Sequence, residues 1–185
     1  VKRVLDAAEA STGWLDGRTI AIIGYGNQGR SQAMNLRDRG FAVVVGTDRD
    51  ATWDQARADG LPVMSTAEAA ASAHVVVILV PDEVAPKVFK NEVAPHLAKD
   101  SVLVFASGYN VAYGYILPPP AVDVVLVAPR MIGRGVRELA VTGEGFPVLI
   151  GVAQDAFGQA WKRALGYAKA IGALGKRGIV VRSSF

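Results

Sequence analysis

An open α/β sheet, doubly wound and mostly parallel with helices on both faces, is the fold this sequence predicts, and three observations predict it. Apolar, β-branched runs recur at Thr19 to Ile23, Phe41 to Gly46, His74 to Val80 and Ser101 to Ala106, as strands buried on both faces require. Helical patterns lie between them, so successive strands are joined by right-handed crossovers rather than by hairpins. The first run stops at Gly24, and Gly24, Gly26 and Gly29 follow in G-x-G-x-x-G spacing ahead of a helix with Ala33, Met34 and Leu36 on its apolar side. These features together define a Rossmann-type domain.

Each glycine has its own physical task. Gly24 permits a tight turn, Gly26 lets the backbone approach a pyrophosphate, and Gly29 lets helix pack closely on strand. The helix then begins with unpaired N–H groups and the positive end of its dipole aimed at phosphates. The loop Gly24, Tyr25, Gly26, Asn27, Gln28 and Gly29 is therefore expected to cradle a dinucleotide, the plainer reading being a structural strand-to-helix turn. Asp48 favours the first reading. It follows the second strand, 24 positions after Gly24, near the spacing at which an acid accepts from an adenosine ribose.

Taken in order, residues 1–17 form a lead-in with some helical character, and 18–185 the dinucleotide-binding domain. Beyond the first βαβ unit, Asp50 to Asp59 reads as a helix stopped by Gly60, and Leu61 to Met64 as a short strand. Ser65-Thr66 caps an Ala-rich helix over Ala67 to Ser72. Pro81-Asp82-Glu83 opens a helix running to about Asn91, its acids favoured by the helix dipole. The strand over Ser101 to Ala106 ends in Ser107-Gly108-Tyr109-Asn110, at the edge where open α/β sheets bind ligands. After the rigid Pro118-Pro119-Pro120 come strands at Val122 to Ala128 and Phe146 to Val152, a helix over Phe157 to Ile171, and a last strand at Ile179 to Arg182.

Composition narrows the function classes. A chain of 185 residues, 51% hydrophobic, suits one globular domain. No apolar run is long enough for a membrane span, and the net charge of +3 is interleaved, without the aromatic-basic stripe of a nucleic-acid binder. The absence of cysteine leaves no disulfide framework or thiolate metal site and is compatible with a cytoplasmic protein. His74 has no second ligand at metal spacing and reads as structural, so no metal site is expected within the chain.

Several segments carry a more specific signal: AIIGYGNQGRSQAMNLRDRG (21 to 40), ILVPDEV (78 to 84), FASGYN (105 to 110), ILPPPAVDVVLVAPR (116 to 130) and FPVLIGVAQDAFGQAWKRALGYAKAIG (146 to 172). In this order they resemble the N-terminal, cofactor-binding domain of ketol-acid reductoisomerase, also called acetohydroxy-acid isomeroreductase, from about Asp16 to Phe185. The resemblance implies binding of NAD or NADP. It also implies a helical, knotted C-terminal domain with acidic Mg²⁺ ligands, and an activity that isomerises an acetohydroxy acid by alkyl migration and reduces the ketone by hydride transfer. The chain departs from the family pattern at Ser107 and Ala112, where histidines are usual. Arg130 stands in place of the lysine of V-A-P-K-G-P-G-H, with Met131, Ile132 and Arg134 also off pattern, and Arg182-Ser183-Ser184-Phe185 in place of E-T-T-F. Arginine keeps the positive charge but cannot exchange a proton near neutral pH.

The cofactor-contact set expected from pattern and resemblance is the glycine loop with Asp48, Arg49 and Thr52, and Val80, Pro81, Ser107 and Gly108 at the strand ends. Asp48 repels a 2′-phosphate and accepts from both ribose hydroxyls, which favours NAD; Arg49 and Thr52 are the residues that would favour NADP. The plain reading of Asp48-Arg49-Asp50 is a solvated turn with a helix cap at Asp50. Ser107 is a candidate catalytic residue, bonding either substrate or the nicotinamide amide, or else a turn hydroxyl. Arg130 is the other, a bidentate partner for a substrate carboxylate, or else a surface ion-pair residue. The leading expectation is an NAD(P)-dependent oxidoreductase domain acting on a 2-keto or acetohydroxy acid. It would need Mg²⁺ only where a C-terminal domain supplies ligands, and would be completed by such a domain or by homo-oligomerisation. The alternative is a catalytically lapsed dinucleotide-binding or sensing module.

Overall fold

The computed structural model describes Val4–Leu5 and residues 10–185. Its centre is six parallel strands: β2 (Thr19–Ile23), β3 (Ala42–Gly46), β4 (Val63–Met64), β5 (Val75–Ile78), β6 (Val102–Phe105) and β7 (Asp123–Pro129). They lie in the order β4-β3-β2-β5-β6-β7, so the chain reverses direction of winding between β2 and β5. Ligands bind at such a switch point in doubly wound sheets. The register there pairs Ile23 with Gly46 on one side and with Ile78 on the other.

Two apolar layers cover the sheet. On one face, Ile20, Ile22, Val75 and Val77 pack beneath α1 (Asn27–Asp38), α2 (Ala51–Ala58), α6 (Gly133–Val141) and α7 (Ala160–Ala170). On the other, Ala21, Ile23, Val76 and Ile78 pack beneath α3 (Thr66–Ser72), α4 (Ala85–Val88) and the π-helical turn Phe89–Val93 that extends it. Strictly alternating burial by helices on both faces is what makes the strand sequences continuously apolar. The Ser65 cap is present in full: its hydroxyl accepts from Glu68 N and the Glu68 carboxylate accepts from Ser65 N.

Three departures from the sequence reading have local causes. The acids Asp82 and Glu83 do not start a helix; Pro81–Val84 forms a turn, with Val84 N and Ala85 N both bonded to Pro81 O, and α4 begins at Ala85. Two helices went unread, α5 (Tyr109–Ala112) and α6. Finally, β8 (Val148–Gln154) runs antiparallel to β7 although a helix connects them. A parallel crossover must carry the chain back to the opposite sheet edge. Here α6 lies across α1, Arg130 N bonds to Pro147 O, and the chain re-enters beside Pro129, the edge it has just left.

The last strand, β9 (Val180–Arg182), is parallel to β8 and pairs antiparallel with β1 (Val4–Leu5). The lead-in thus contributes an edge strand, followed by a 3₁₀ turn at Gly13–Leu15; the rest of its expected helical character, at 1–3 and 6–9, lies outside the described residues.

Candidate functional site

The site is built at the carboxyl edge of β2, β3, β5 and β6. Gly24 leaves β2 at φ +93°, a left-handed conformation that side chains rarely adopt, and a Cβ there would lie 2.8 Å from Val80 Cγ1. Its N–H bonds to Gly46 O at 2.9 Å, closing the turn onto β3. Gly29, in the first turn of α1, is pressed against the Gly24 carbonyl so that any Cβ would collide with it. Gly26 differs from both: it is the N-cap of α1, is exposed, and has nothing within 4 Å of a would-be Cβ. No side chain caps α1, so its first N–H groups are presented to the space in front of Gly26.

These are the properties a pyrophosphate requires, namely room at the backbone, unpaired donors and a positive helix end, and the residues fit a dinucleotide. Tyr25 can add only its backbone. The residue is 4% exposed, and burial foremost, with the bond its hydroxyl donates to Asp59 Oδ2 at 3.0 Å, pushes the phenol well above its ordinary range. Asp59 also holds Arg30 through Nε at 2.7 Å and Nη2 at 3.0 Å.

Two clefts flank the loop. On the β3 side, Asp48 and Arg49 line one of about 170 Å³ with Thr47, Trp53 and Ser65. The Asp48 carboxylate is exposed at its edge, while the Arg49 guanidinium stacks over Trp53 with its Cζ 4.9 Å from the ring centroid. Asp50 is the α2 cap, accepting from Thr52 N at 2.7 Å and from Thr52 Oγ1 at 2.6 Å. Thr47 Oγ1 lies 2.7 Å from that same hydroxyl. The Thr52 hydroxyl therefore has both its donor and an acceptor direction engaged within the protein.

On the β5–β6 side, Gln28, Val80, Pro81 and Ser107 line a cleft of about 230 Å³ together with Asp82 and Asn110. Gln28 is oriented by a relay: its Nε2 donates to Met131 O at 2.8 Å, and its Oε1 accepts from Gln32 Nε2 at 3.1 Å. The buried Gln32 Oε1 in turn accepts from Tyr167 OH at 2.8 Å. Ser107 donates to Asp82 Oδ2 at 2.9 Å. Gly108 lies next to Phe185, whose Cα would be 3.2 Å from a Cβ there, so it serves close packing of the chain rather than the cleft. Arg130, at the end of β7, is exposed and has no side-chain hydrogen bond among the described residues. The sequence places the loop, both flanks and the polar strand end Ser107 to Asn110, but gives Asp82 no site role, because adjacent acids after a proline look like a helix start.

A third hollow, of about 520 Å³, lies between α1 and α6 and is lined by Asn27, Arg30, Ser31, Arg134 and Arg137. Gly133, the first residue of α6, sits against the Asn27 carbonyl with no room for a Cβ, which anchors α6 to the glycine loop. Among the described residues no cluster of three or more His, Asp or Glu side chains could hold a metal ion.

Fold and site together define a dinucleotide-binding domain of the Rossmann type. Residues 14–178 match the family model described as acetohydroxy acid isomeroreductase, NADPH-binding domain, and the chain belongs to that family. It is 50% identical, over 100% of its length and 55% of the relative, to a putative ketol-acid reductoisomerase 3 of Saccharolobus solfataricus. It is 49% identical, over 96% of its length and 54% of the relative, to a ketol-acid reductoisomerase (NADP(+)) of Pyrobaculum calidifontis. Among solved structures, an NADH-preferring ketol-acid reductoisomerase from an uncultured archean superposes with a TM-score of 0.94 at 35% identity, covering 100% of this chain and 57% of that one. The chain spans about half the length of the curated relatives it matches.

Proposed function

We propose that this chain is the cofactor-holding part of a ketol-acid reductoisomerase, which reduces a 2-keto or acetohydroxy acid, with isomerisation where a metal-bearing part is joined to it. The observation that carries the reading is the contrast within the glycine loop. Gly24 and Gly29 are sterically locked by the fold, whereas Gly26 faces open space that no protein atom uses. Residues 18–185 form the functional domain, with 1–17 as its lead-in. The matched relatives are named as reductoisomerases, and a sensing module finds no support among them.

When bound, the nicotinamide supplies the hydride. The Gly24 to Gly29 backbone and the α1 N-terminus hold the pyrophosphate, and Asp48 accepts from the adenosine ribose. Val80 and Pro81 wall the cleft on the opposite side, and Gln28 is pre-set there by the Gln32–Tyr167 relay. Ser107 meets either the nicotinamide amide or the substrate. Arg130, charged and uncommitted at the β7 end, holds a substrate carboxylate. Mg²⁺ ligands, where the metal is used, come from outside the described residues.

NAD is favoured over NADP. Asp48 projects a negative charge at the ribose cleft, Arg49 is occupied by Trp53, and the Thr52 proton is given to Asp50. We further place the protein in the cytoplasm as a homo-oligomer or a two-domain enzyme; no helix among the described residues is long and apolar enough to cross a membrane. Calorimetric titration with NADH and NADPH tests the reading, with micromolar binding of NADH expected and binding of neither overturning it. Substrate-dependent NAD(P)H oxidation by the full-length parent with Mg²⁺, across acetohydroxy and 2-keto acids, tests the reaction.

A further inference from the structure

In the cleft beside β5 and β6, Ser107 is joined to two side chains, Asp82 and Asn110, to which neither pattern nor family description gives a role. Asn110, 3% exposed, donates through Nδ2 to Asp82 O at 3.0 Å and to Asp82 Oδ1 at 3.2 Å. Asp82 Oδ2 accepts from Ser107 Oγ at 2.9 Å. An ionised carboxylate has no proton to give, so the direction of this bond is fixed and the single Ser107 proton points at Asp82. One lone pair of Oγ faces the Tyr109 N–H at 3.4 Å, which leaves the other without a partner among the described residues, and Ser107 lines the cleft.

From this we infer that Asp82 is a positioning residue that holds Ser107 as a hydrogen-bond acceptor, so that this end of the cleft selects a neutral N–H donor: the nicotinamide carboxamide. The inference rests on the dinucleotide reading above and decides which of the two ligand groups Ser107 meets. A substrate carboxylate is excluded from this position on two counts. It finds no O–H donor on Ser107, and it lies beside the Asp82 charge. The uncommitted cation, Arg130, stands at the end of β7, so anion and amide are read by different strands.

On this inference Ser107 keeps only the acceptor half of what a histidine at this position offers. A neutral imidazole offers one acceptor nitrogen and one donor; a hydroxyl whose proton is taken by Asp82 offers an acceptor alone.

The test compares two ligands on the full chain. For the tighter-binding of NADH and NADPH, its dissociation constant is set against that of the matching 3-acetylpyridine dinucleotide, in which a methyl replaces the carboxamide NH₂. The wild-type chain should prefer the carboxamide by roughly threefold to tenfold, the worth of one neutral hydrogen bond. Ser107→Ala and Asp82→Asn should bring that ratio near one. In the second variant the new amide donates to Ser107 and turns its proton toward the cleft. Ser107→Thr keeps the hydroxyl and should keep the preference, and thermal unfolding of each variant establishes that it is folded. An unchanged ratio in folded Ser107→Ala, or no preference in the wild type, overturns the inference while leaving the dinucleotide reading intact. Binding of neither NADH nor NADPH overturns both.

Discussion

Gly29 rests against the carbonyl oxygen of Gly24 with no room for a Cβ, whereas Gly26, between them in sequence, has nothing within 4 Å of one. The two kinds of glycine separate scaffold from site. Gly29→Ala should destabilise the chain by about 1–3 kcal/mol through overpacking, lowering the melting temperature with or without ligand. Gly26→Ala, at φ −77°, should leave the melting temperature of the free protein nearly unchanged yet weaken NADH binding at least tenfold. Differential scanning calorimetry and ligand titration of the two variants read both effects. Unimpaired binding by Gly26→Ala would remove the cradle.

Cofactor choice turns on Asp48. Asp48→Ser removes the charge that faces the ribose cleft and leaves a donor, so NADPH should bind more tightly and NADH more weakly. Their ratio should move by on the order of tenfold, a change of ~1.4 kcal/mol. Arg49→Ala should have the smaller effect, because that guanidinium is already spent on the Trp53 face. Titration of both variants with both dinucleotides checks this.

Asp123 opens β7 with no exposed surface, accepting from Arg163 Nη1 at 2.9 Å and from Ala156 N at 2.8 Å. Arg163 continues to Asp100 at 2.7 Å, tying α7 to the sheet edge opposite the site. Asp123→Ala leaves a nearly buried arginine with one partner fewer and should cost about 3–5 kcal/mol in urea unfolding. A loss well below 1 kcal/mol would mean that water replaces the carboxylate.

The strands most legible in the sequence were those whose side chains are buried on both faces, since Thr19–Ile23 and Val75–Ile78 are short, β-branched and too brief for a helix. Legibility failed where tertiary contacts decide. Helix α6 contains Gly133 and Gly135 and starts without a side-chain cap; it forms because Asn35 Nδ2 donates to Val136 O at 3.3 Å and Arg39 Nη2 to Ala140 O at 3.1 Å. The direction of β8 follows from the Arg130–Pro147 bond, which no local pattern announces. In the site, the glycine spacing encodes the loop directly. Asp82 and Ser107, by contrast, are 25 positions apart and meet only because β5 and β6 are neighbours.

Acid should unfasten the glycine loop through Asp59. This carboxylate binds Arg30 twice and the Tyr25 hydroxyl once, and the Arg30 hydrogen bonds foremost hold its pKa below the ordinary 3.8. A folded-state pKa below the unfolded one means that the contribution is complete above the unfolded value. It is lost progressively as pH falls below 3.8 toward the folded value. Asp59→Asn cannot ionise and lacks that contribution at every pH. The melting temperatures of wild type and Asp59→Asn should therefore differ most above about pH 5 and converge as the pH falls below 3.8. NADH affinity should fall in the same variant, because Tyr25 is the second residue of the loop that holds the pyrophosphate. A gap between the two proteins that stays constant from neutral pH into acid would show that the Asp59 contacts act by packing alone, without the charge.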